Sequence, residues 1–145
     1  MYEHVLVPTD GSEPADRAVD QAVELAARFD ATLHALFVVD VDERTPLSIS
    51  SEPVVEGLRT EGEKITQEAV DRAPDDLETV TAVEQGEADE TILAYAGDHD
   101  VDAIVMGTHG RRGLDRFLLG SVTESVLRNA DCSVLVSRST GPRDE

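Results

Sequence analysis

The sequence predicts an α/β protein in which an open, mainly parallel sheet carries helices on both faces. Five short apolar runs rich in β-branched residues alternate with four stretches that have the length and periodicity of amphipathic helices. The apolar runs are continuous rather than alternating, which is typical of strands covered on both faces. With 145 residues, 40% of them apolar, the chain has the size of a single domain with an aliphatic core.

Local patterns define the nine elements in order. The first apolar run, HVLVPTD, contains Pro8 and is followed by Gly11, and both residues favour the end of a strand. Ser12 is a favourable N-cap for the helix that follows, whose apolar side repeats at helical spacing: Ala18, Ala22, Leu25 and Phe29. The same criteria predict strands at 4–10, 32–39, 77–83, 101–107 and 132–138, and helices at 12–29, about 52–72, 87–99 and 121–130.

One connection is unusually long. Residues 40–57 contain two prolines and little periodicity until their end, and connections of this length in a compact domain are often functional. We expect residues 1–139 to form one domain and residues 140–145 to form a flexible tail.

The charge of the chain is strongly negative and unevenly distributed. The net charge is −19, and Lys64 is the only lysine among 12 basic residues. Such a surface repels nucleic acid and anionic membranes. It suits a halophilic protein, because at about 1 M salt the Debye length is about 3 Å and like charges barely interact. Residues 40–100 hold 18 acids and 4 bases, whereas residues 107–138 hold 3 acids and 5 bases, so the last third is where we expect an anion to bind.

Several classes of protein are excluded by what the sequence lacks. No apolar stretch is long enough to span a membrane, and the first ten residues have no basic region typical of a signal peptide. The single cysteine, Cys132, is expected to be a buried small side chain in a reducing cytoplasm. His4, His34 and His99 show no metal-ligand spacing, so we expect no structural metal site. These observations predict a cytoplasmic protein without membrane or nucleic-acid partners.

A glycine-rich segment follows the fourth strand. Its spacing is Gly107-x2-Gly110-x9-Gly120-Ser121, with the last pair at the start of the fourth helix. Glycines let backbone N–H groups converge on a phosphate, and a helix N-terminus adds free N–H groups and a positive dipole. Three arginines would strengthen the local field: Arg111, Arg112 and Arg116. Neither a P-loop nor a G-x-G-x-x-G fingerprint is present.

Structural explanations of the same residues remain open. Ser121 and Glu124 form the sequence S-x-x-E, a capping box, so Ser121 would simply cap its helix. The glycines would be turn residues, the arginines would belong to surface ion pairs, and His109 would be an exposed loop histidine.

Three blocks of the sequence together resemble the UspA-like universal stress protein family. They are VLVPTDGS at the first strand, the motif G-x2-G-x9-G-[ST] after the fourth, and GSVTESVLRNADCSVLV at the end. The motif is that of the ATP-binding subgroup. The resemblance implies a Rossmann-like fold of the adenine nucleotide alpha-hydrolase type, a sheet order of 3-2-1-4-5, and homodimers that pair through the fifth strand, Cys132 to Arg138.

The resemblance also implies a nucleotide site. Asp10 would lie beside the adenosine, the backbone of Val38 at the adenine edge, and Met106 near the ribose. The full set of implied contacts is Pro8, Thr9, Asp10, Val38, Met106, Gly107, His109, Gly110, Arg111, Gly120, Ser121, Val122 and Thr123. The ligand would be ATP, with Mg²⁺ or Mn²⁺ held mainly by phosphates and water.

The expected function is therefore a nucleotide-dependent dimeric switch in the stress response rather than an enzyme. A slow ATP hydrolase or phosphotransfer protein that uses the same pocket is the enzymatic alternative, although no general base is evident from the sequence. A dimerisation module that binds no nucleotide is the third.

Overall fold

The computed structural model describes residues 2–40, 52–108 and 119–138. These ranges contain all nine predicted elements in the predicted order. They are β1 His4–Pro8, α1 Glu13–Phe29, β2 Thr32–Asp40, α2 Glu52–Val70, β3 Thr79–Gly86, α3 Ala88–Asp98, β4 Ala103–Gly107, α4 Ser121–Asn129 and β5 Ser133–Ser137. Most of the long connection, the centre of the glycine-rich segment and the predicted tail at 140–145 lie outside the described residues.

The five strands form one sheet in the order β3-β2-β1-β4-β5, and all four pairings are parallel. This confirms the order that the family resemblance implied. The chain winds from β1 outward to β3 and then crosses to β4 on the other side of β1, so β1 and β4 flank the topological switch point. In open sheets of this kind, ligands bind beyond the carboxyl ends of the strands at that point.

Two hydrophobic cores cover the two faces of the sheet. Val5 and Val7 of β1 pack under α1 and α2, whereas Leu6 between them packs under α3 and α4. β1 is therefore buried on both sides, which explains its continuous apolar run. Cys132 lies at the margin of the second core and is half-buried rather than fully buried, and burial raises the pKa of its thiol.

The first helix follows its sequence signals with one exception. The hydroxyl oxygen of Ser12 accepts a hydrogen bond from the Ala15 N–H at 3.4 Å, which confirms the predicted N-cap. The buried stripe consists mainly of small residues: Ala15, Ala18, Val19, Ala22 and Ala26. Phe29, predicted on the apolar side, is instead exposed and packs edge-on against Tyr2. It is the last helical residue, where the helix runs beyond the sheet-facing core.

No helix within the described ranges is both long and apolar enough to cross a membrane.

The two glycines of α2 have opposite surroundings. A Cβ added to Gly62 would lie 2.5 Å from a ring carbon of Phe37, a buried side chain of β2. A Cβ added to Gly57 would meet no atom within 4 Å. Gly62 is therefore the point at which α2 approaches the sheet closely, whereas Gly57 is a solvent-facing helix position.

We predict that Gly62→Ala and Gly57→Ala change stability in opposite directions. Overpacking against Phe37 should lower the free energy of unfolding by about 1–3 kcal/mol in Gly62→Ala. Gly57→Ala should raise it by up to about 1 kcal/mol, because alanine favours the helix over glycine. Urea denaturation followed by circular dichroism measures both. Equal stability of the two variants would contradict the close packing of α2 on β2.

Candidate functional site

The ends of β1 and β4 meet at the carboxyl edge of the sheet. Pro8 is the last residue of β1 and Gly107 the last of β4. The Thr9 N–H donates to the Leu36 carbonyl of β2 at 2.8 Å, so the chain beyond β1 stays beside β2. Val38 lies two residues further along β2. Three of the predicted site segments therefore lie on neighbouring strands at the switch point.

The turn between β1 and α1 is fixed by its own side chains. A carboxylate oxygen of Asp10 accepts the Ser12 N–H at 3.0 Å, and the Thr9 hydroxyl accepts the Gly11 N–H at 3.2 Å. Gly11 has a φ of 80°, a conformation that favours glycine. These contacts hold Asp10 half-buried at the edge of the sheet.

Gly107 has a structural reason to be glycine. A Cβ at this position would lie 2.8 Å from the Pro14 carbonyl oxygen in the first turn of α1. Any side chain here would push the end of β4 away from α1. The first glycine of the motif is thus required by packing, whatever it contributes to a ligand.

Two hydrogen bonds attach the start of α4 to the end of β4. The Gly120 N–H donates to the Thr108 carbonyl at 2.6 Å, and the Thr123 hydroxyl donates to the Gly107 carbonyl at 2.8 Å. Gly120, Thr108 and Thr123 are all buried. The two described ends that flank residues 109–118 are therefore held next to each other, and the position of α4 over the switch point is fixed.

The first turn of α4 has no side-chain cap among the described residues. Gly120, with extended backbone, is the N-cap of α4, so the alternative in which Ser121 caps this helix is wrong. The helix begins one residue earlier than a Ser121 cap would require, because the Glu124 N–H bonds to the Gly120 carbonyl at 2.9 Å. Ser121 is exposed, and among the described residues no side chain caps this end. The N–H groups of Ser121, Val122 and Thr123 have no intrahelical partner.

Two residues predicted to contact the ligand have side chains that pack in or against the second core. The side chain of Met106 is buried in the second core, and that of Val38 packs against the same core. Both side chains therefore stabilise the strands that lie beneath the candidate site.

A cleft of about 320 Å³ opens on the other side of the β1–α1 turn, towards α2. Thr9 and Gly11 line it together with Lys64 and Arg72 of α2. Arg72 forms ion pairs with two carboxylates of α1. One is that of Asp16, at 3.4 Å, and the other, at 3.0 Å, belongs to the aspartate one turn later. The only lysine thus lines a cleft beside the β1–α1 turn. The sequence did not indicate this position, because Lys64 is far from the glycine motif along the chain.

Most of the predicted site residues lie at the carboxyl edge of the sheet or at the start of α4. They are Pro8, Thr9, Asp10, Val38, Met106, Gly107, Gly120, Ser121, Val122 and Thr123. His109, Gly110 and Arg111 lie outside the described residues, as do Arg112 and Arg116. In the described part of the chain, no three His, Cys, Asp or Glu side chains are grouped to hold a metal ion.

Sequence reasoning missed two residues of the site. Thr108 holds the start of α4 through its carbonyl. No pattern in the sequence indicated that this residue, just after a strand, would be buried. Pro14 limits the size of residue 107, and nothing in the sequence links two residues so far apart.

Comparison with known proteins gives consistent matches along the chain. The model of the universal stress protein family matches residues 1–138. A universal stress protein of Methanocaldococcus jannaschii is 37% identical over 139 residues, which cover 94% of this chain and 82% of the relative.

Two solved structures extend the likeness to the fold. Universal stress protein UspA from Lactobacillus plantarum has a TM-score of 0.79 at 33% identity, covering 94% of this chain and 98% of that one. A universal stress protein in complex with cAMP has a TM-score of 0.65 at 26% identity, covering 94% and 97% of the two chains.

We predict that Thr123→Val loosens the attachment of α4. Valine preserves the shape of threonine but leaves the half-buried Gly107 carbonyl without the Thr123 donor, which should lower the free energy of unfolding by about 1 kcal/mol. Thr60→Val is the matched control, because Thr60 makes a similar bond to the Glu56 carbonyl at 3.0 Å on the exposed side of α2. We expect less than about 0.5 kcal/mol there. Chemical denaturation measures the free energy of unfolding of both variants. An equal loss of stability in the two would contradict an anchoring role for Thr123.

Proposed function

Since the chain belongs to the universal stress protein family, we propose that it binds ATP at the carboxyl edge of β1 and β4 and acts as a dimeric, nucleotide-dependent switch in the stress response. The observation that carries this proposal is the start of α4. It is uncapped by any described side chain, it begins with the exposed Ser121, and it is tied to the end of β4 at the switch point.

The phosphates would bind at the first turn of α4. Three main-chain N–H groups and the Ser121 hydroxyl supply donors, and the helix dipole adds about 0.3–1 kcal/mol, up to about 2 kcal/mol where partly buried. Residues 107–138 carry a net charge of +2, from 3 acids and 5 bases, in a chain of net charge −19. A polyphosphate is thereby attracted to the one region of the chain whose charge does not repel it.

The adenosine would bind along β1 and β2. Asp10 is held by the β1–α1 turn and offers carboxylate oxygens to the hydroxyl or amino groups of an adenosine. Val38 continues β2 beyond the point at which Thr9 leaves it, so its main chain would be able to contact the base. The related protein solved with cAMP supports an adenine nucleotide as the ligand class. We assign ATP because the glycine spacing is that of the ATP-binding subgroup, and Mg²⁺ would accompany it.

The partner we propose is a second copy of the chain, paired through β5. β5 is an edge strand, so one row of its main-chain groups is available for pairing. Leu135 of β5 is 46% exposed, and Leu127 of the neighbouring α4 is also exposed. Pairing of two copies along β5 would satisfy this row of main-chain groups.

The switch would operate through the residues between β4 and α4. A nucleotide on the first turn of α4 would lie near Gly120, whose N–H bonds to the Thr108 carbonyl, and these two residues flank residues 109–118. It acts as a switch if it binds one arrangement of this connection more tightly than another.

We predict that ATP with Mg²⁺ binds the wild-type protein in molar KCl and that binding depends on α4. Ser121→Ala removes one exposed donor to a charged phosphate and should weaken binding about tenfold, equivalent to about 1.4 kcal/mol. Gly120→Val should abolish binding, because Gly120 is the buried N-cap of α4, where a branched side chain would displace the first turn. Titration calorimetry measures all three proteins.

Gly57→Ala is the control for this titration, because Gly57 lies in α2 with open space around it. It should bind ATP like the wild type. No binding by the wild type would refute the proposed function, and equal binding by all the variants would place the ligand elsewhere.

A further inference from the structure

Three of the four histidines of the chain form a cluster with a tyrosine on the face of the sheet covered by α3. Nδ1 of His4 lies 3.1 Å from Nε2 of His34, and Nδ1 of His34 lies 2.8 Å from the Tyr95 hydroxyl. His99, at the C-terminal end of α3, stacks on the Tyr95 ring with 3.8 Å between centroids. The cluster thus joins β1, β2 and α3 and plays no part in the site described above.

His34 is the centre of the cluster. It is 3% exposed, and both of its ring nitrogens have a partner. The centroids of the His4 and His99 rings lie 5.2 Å and 5.7 Å from its own. His34 is therefore buried between two other imidazoles, of which His4 is half-buried and His99 is exposed, so a proton on His34 meets the charge of any proton on either neighbour.

The groups that face His34 do not favour its charged form. His4 comes from β1, Tyr95 and His99 come from α3, and Glu84 of β3 acts on Tyr95. Burial, then His4 and His99, lower the pKa of His34 from 6.5 to about 4. Burial and Glu84 raise the pKa of Tyr95 to about 12, so its hydroxyl keeps its proton.

Two further contacts complete these surroundings. Asp102 lies at the same end of β1, where its carboxylate accepts the N–H groups of Glu3 and His4 at 2.8 Å and 3.0 Å. A metal does not explain the cluster, because both nitrogens of His34 are engaged and the described residues offer no group of three metal ligands.

We propose that His4, His34, Tyr95 and His99 form a proton-operated latch, which holds α3 on the sheet while His34 is neutral and releases α3 when His34 takes up a proton. His34 and Tyr95 are the link between β2 and α3 in this cluster. A charge on His34 is stabilised once α3 moves away, because water then reaches the ring and the His99 side chain leaves with the helix.

Release of α3 would reach the other end of the molecule through α4. Asp89, in the first turn of α3, accepts a hydrogen bond from the Ser125 hydroxyl of α4 at 2.7 Å. Ser125 lies one turn after Ser121, at the start of α4. Release of α3 would thus break a hydrogen bond that supports α4, the helix at the candidate site. This effect of the proton requires no bound nucleotide.

The direction of the pH dependence follows from the lowered pKa of His34. With a pKa of about 4 when latched and about 6.5 when released, the latch is fully effective above pH 6.5 and is lost as pH falls towards 4. Each pH unit within this window changes the ratio of latched to released protein about tenfold for one proton. Between about pH 6.5 and 5 the effect is separate from that of most carboxyl groups, whose ordinary pKa values are about 4.

The test is hydrogen exchange of the wild type and His34→Gln between pH 7.5 and 5, corrected for the intrinsic exchange rates. Glutamine offers a donor and an acceptor but does not titrate. In the wild type, the protection of α3 amides should fall about tenfold per pH unit below about 6.5, and at pH 5 these amides should exchange faster than those of α1. In His34→Gln the protection of α3 should not depend on pH.

Three results would overturn the latch: protection of α3 that does not change with pH in the wild type, an equal slope in His34→Gln, or loss of α1 and α3 protection together. If His34→Gln does not fold, the wild type decides the question through the NMR signal of the His34 ring. As long as the α3 amides are protected from exchange, the chemical shift of the His34 ring should remain that of a neutral imidazole. Titration of the ring near pH 6.5 with α3 still protected would also overturn the proposal.

Discussion

The site depends on the attachment of α4 to the end of β4. Two hydrogen bonds, from Gly120 to Thr108 and from Thr123 to Gly107, hold the helix start over the switch point of the sheet. Gly107 can lie against the first turn of α1 only because it has no Cβ. Without these contacts the first turn of α4 would not be fixed beside the end of β4, and the proposed phosphate donors would not lie near the proposed adenosine contacts on β1 and β2.

The fold could be predicted from the sequence because its signals are local. The apolar runs of β1 and β2, the Ser12 cap and the alternation of strands with helices are visible within short windows. The contacts that shape the site join residues far apart in the chain, such as Gly107 with Pro14 and Asp89 with Ser125, and no periodicity reports them. Ser121 shows the limit of a local rule, because the sequence S-x-x-E also fits a helix that begins at Gly120.

The two ends of the sheet differ in charge and burial. At the carboxyl edge of the sheet lies the N-terminus of α4, which suits an anion. Near the start of β1, His34 is buried within the histidine cluster, and this burial disfavours a positive charge on its ring. Both depend on the helices of the second face, since α3 contacts the cluster and α4 contains the site. Nucleotide and proton would therefore act on the same pair of helices.

The most direct test of the central claim is a crystal structure of the chain grown with Mg²⁺ and a non-hydrolysable ATP analogue. Our account predicts phosphate oxygens within hydrogen-bond distance, about 2.7–3.2 Å, of the main-chain nitrogens of Ser121, Val122 and Thr123. It also predicts that the adenosine lies against Asp10 and Val38. A nucleotide bound instead in the cleft beside Lys64, with the first turn of α4 unoccupied, would contradict it.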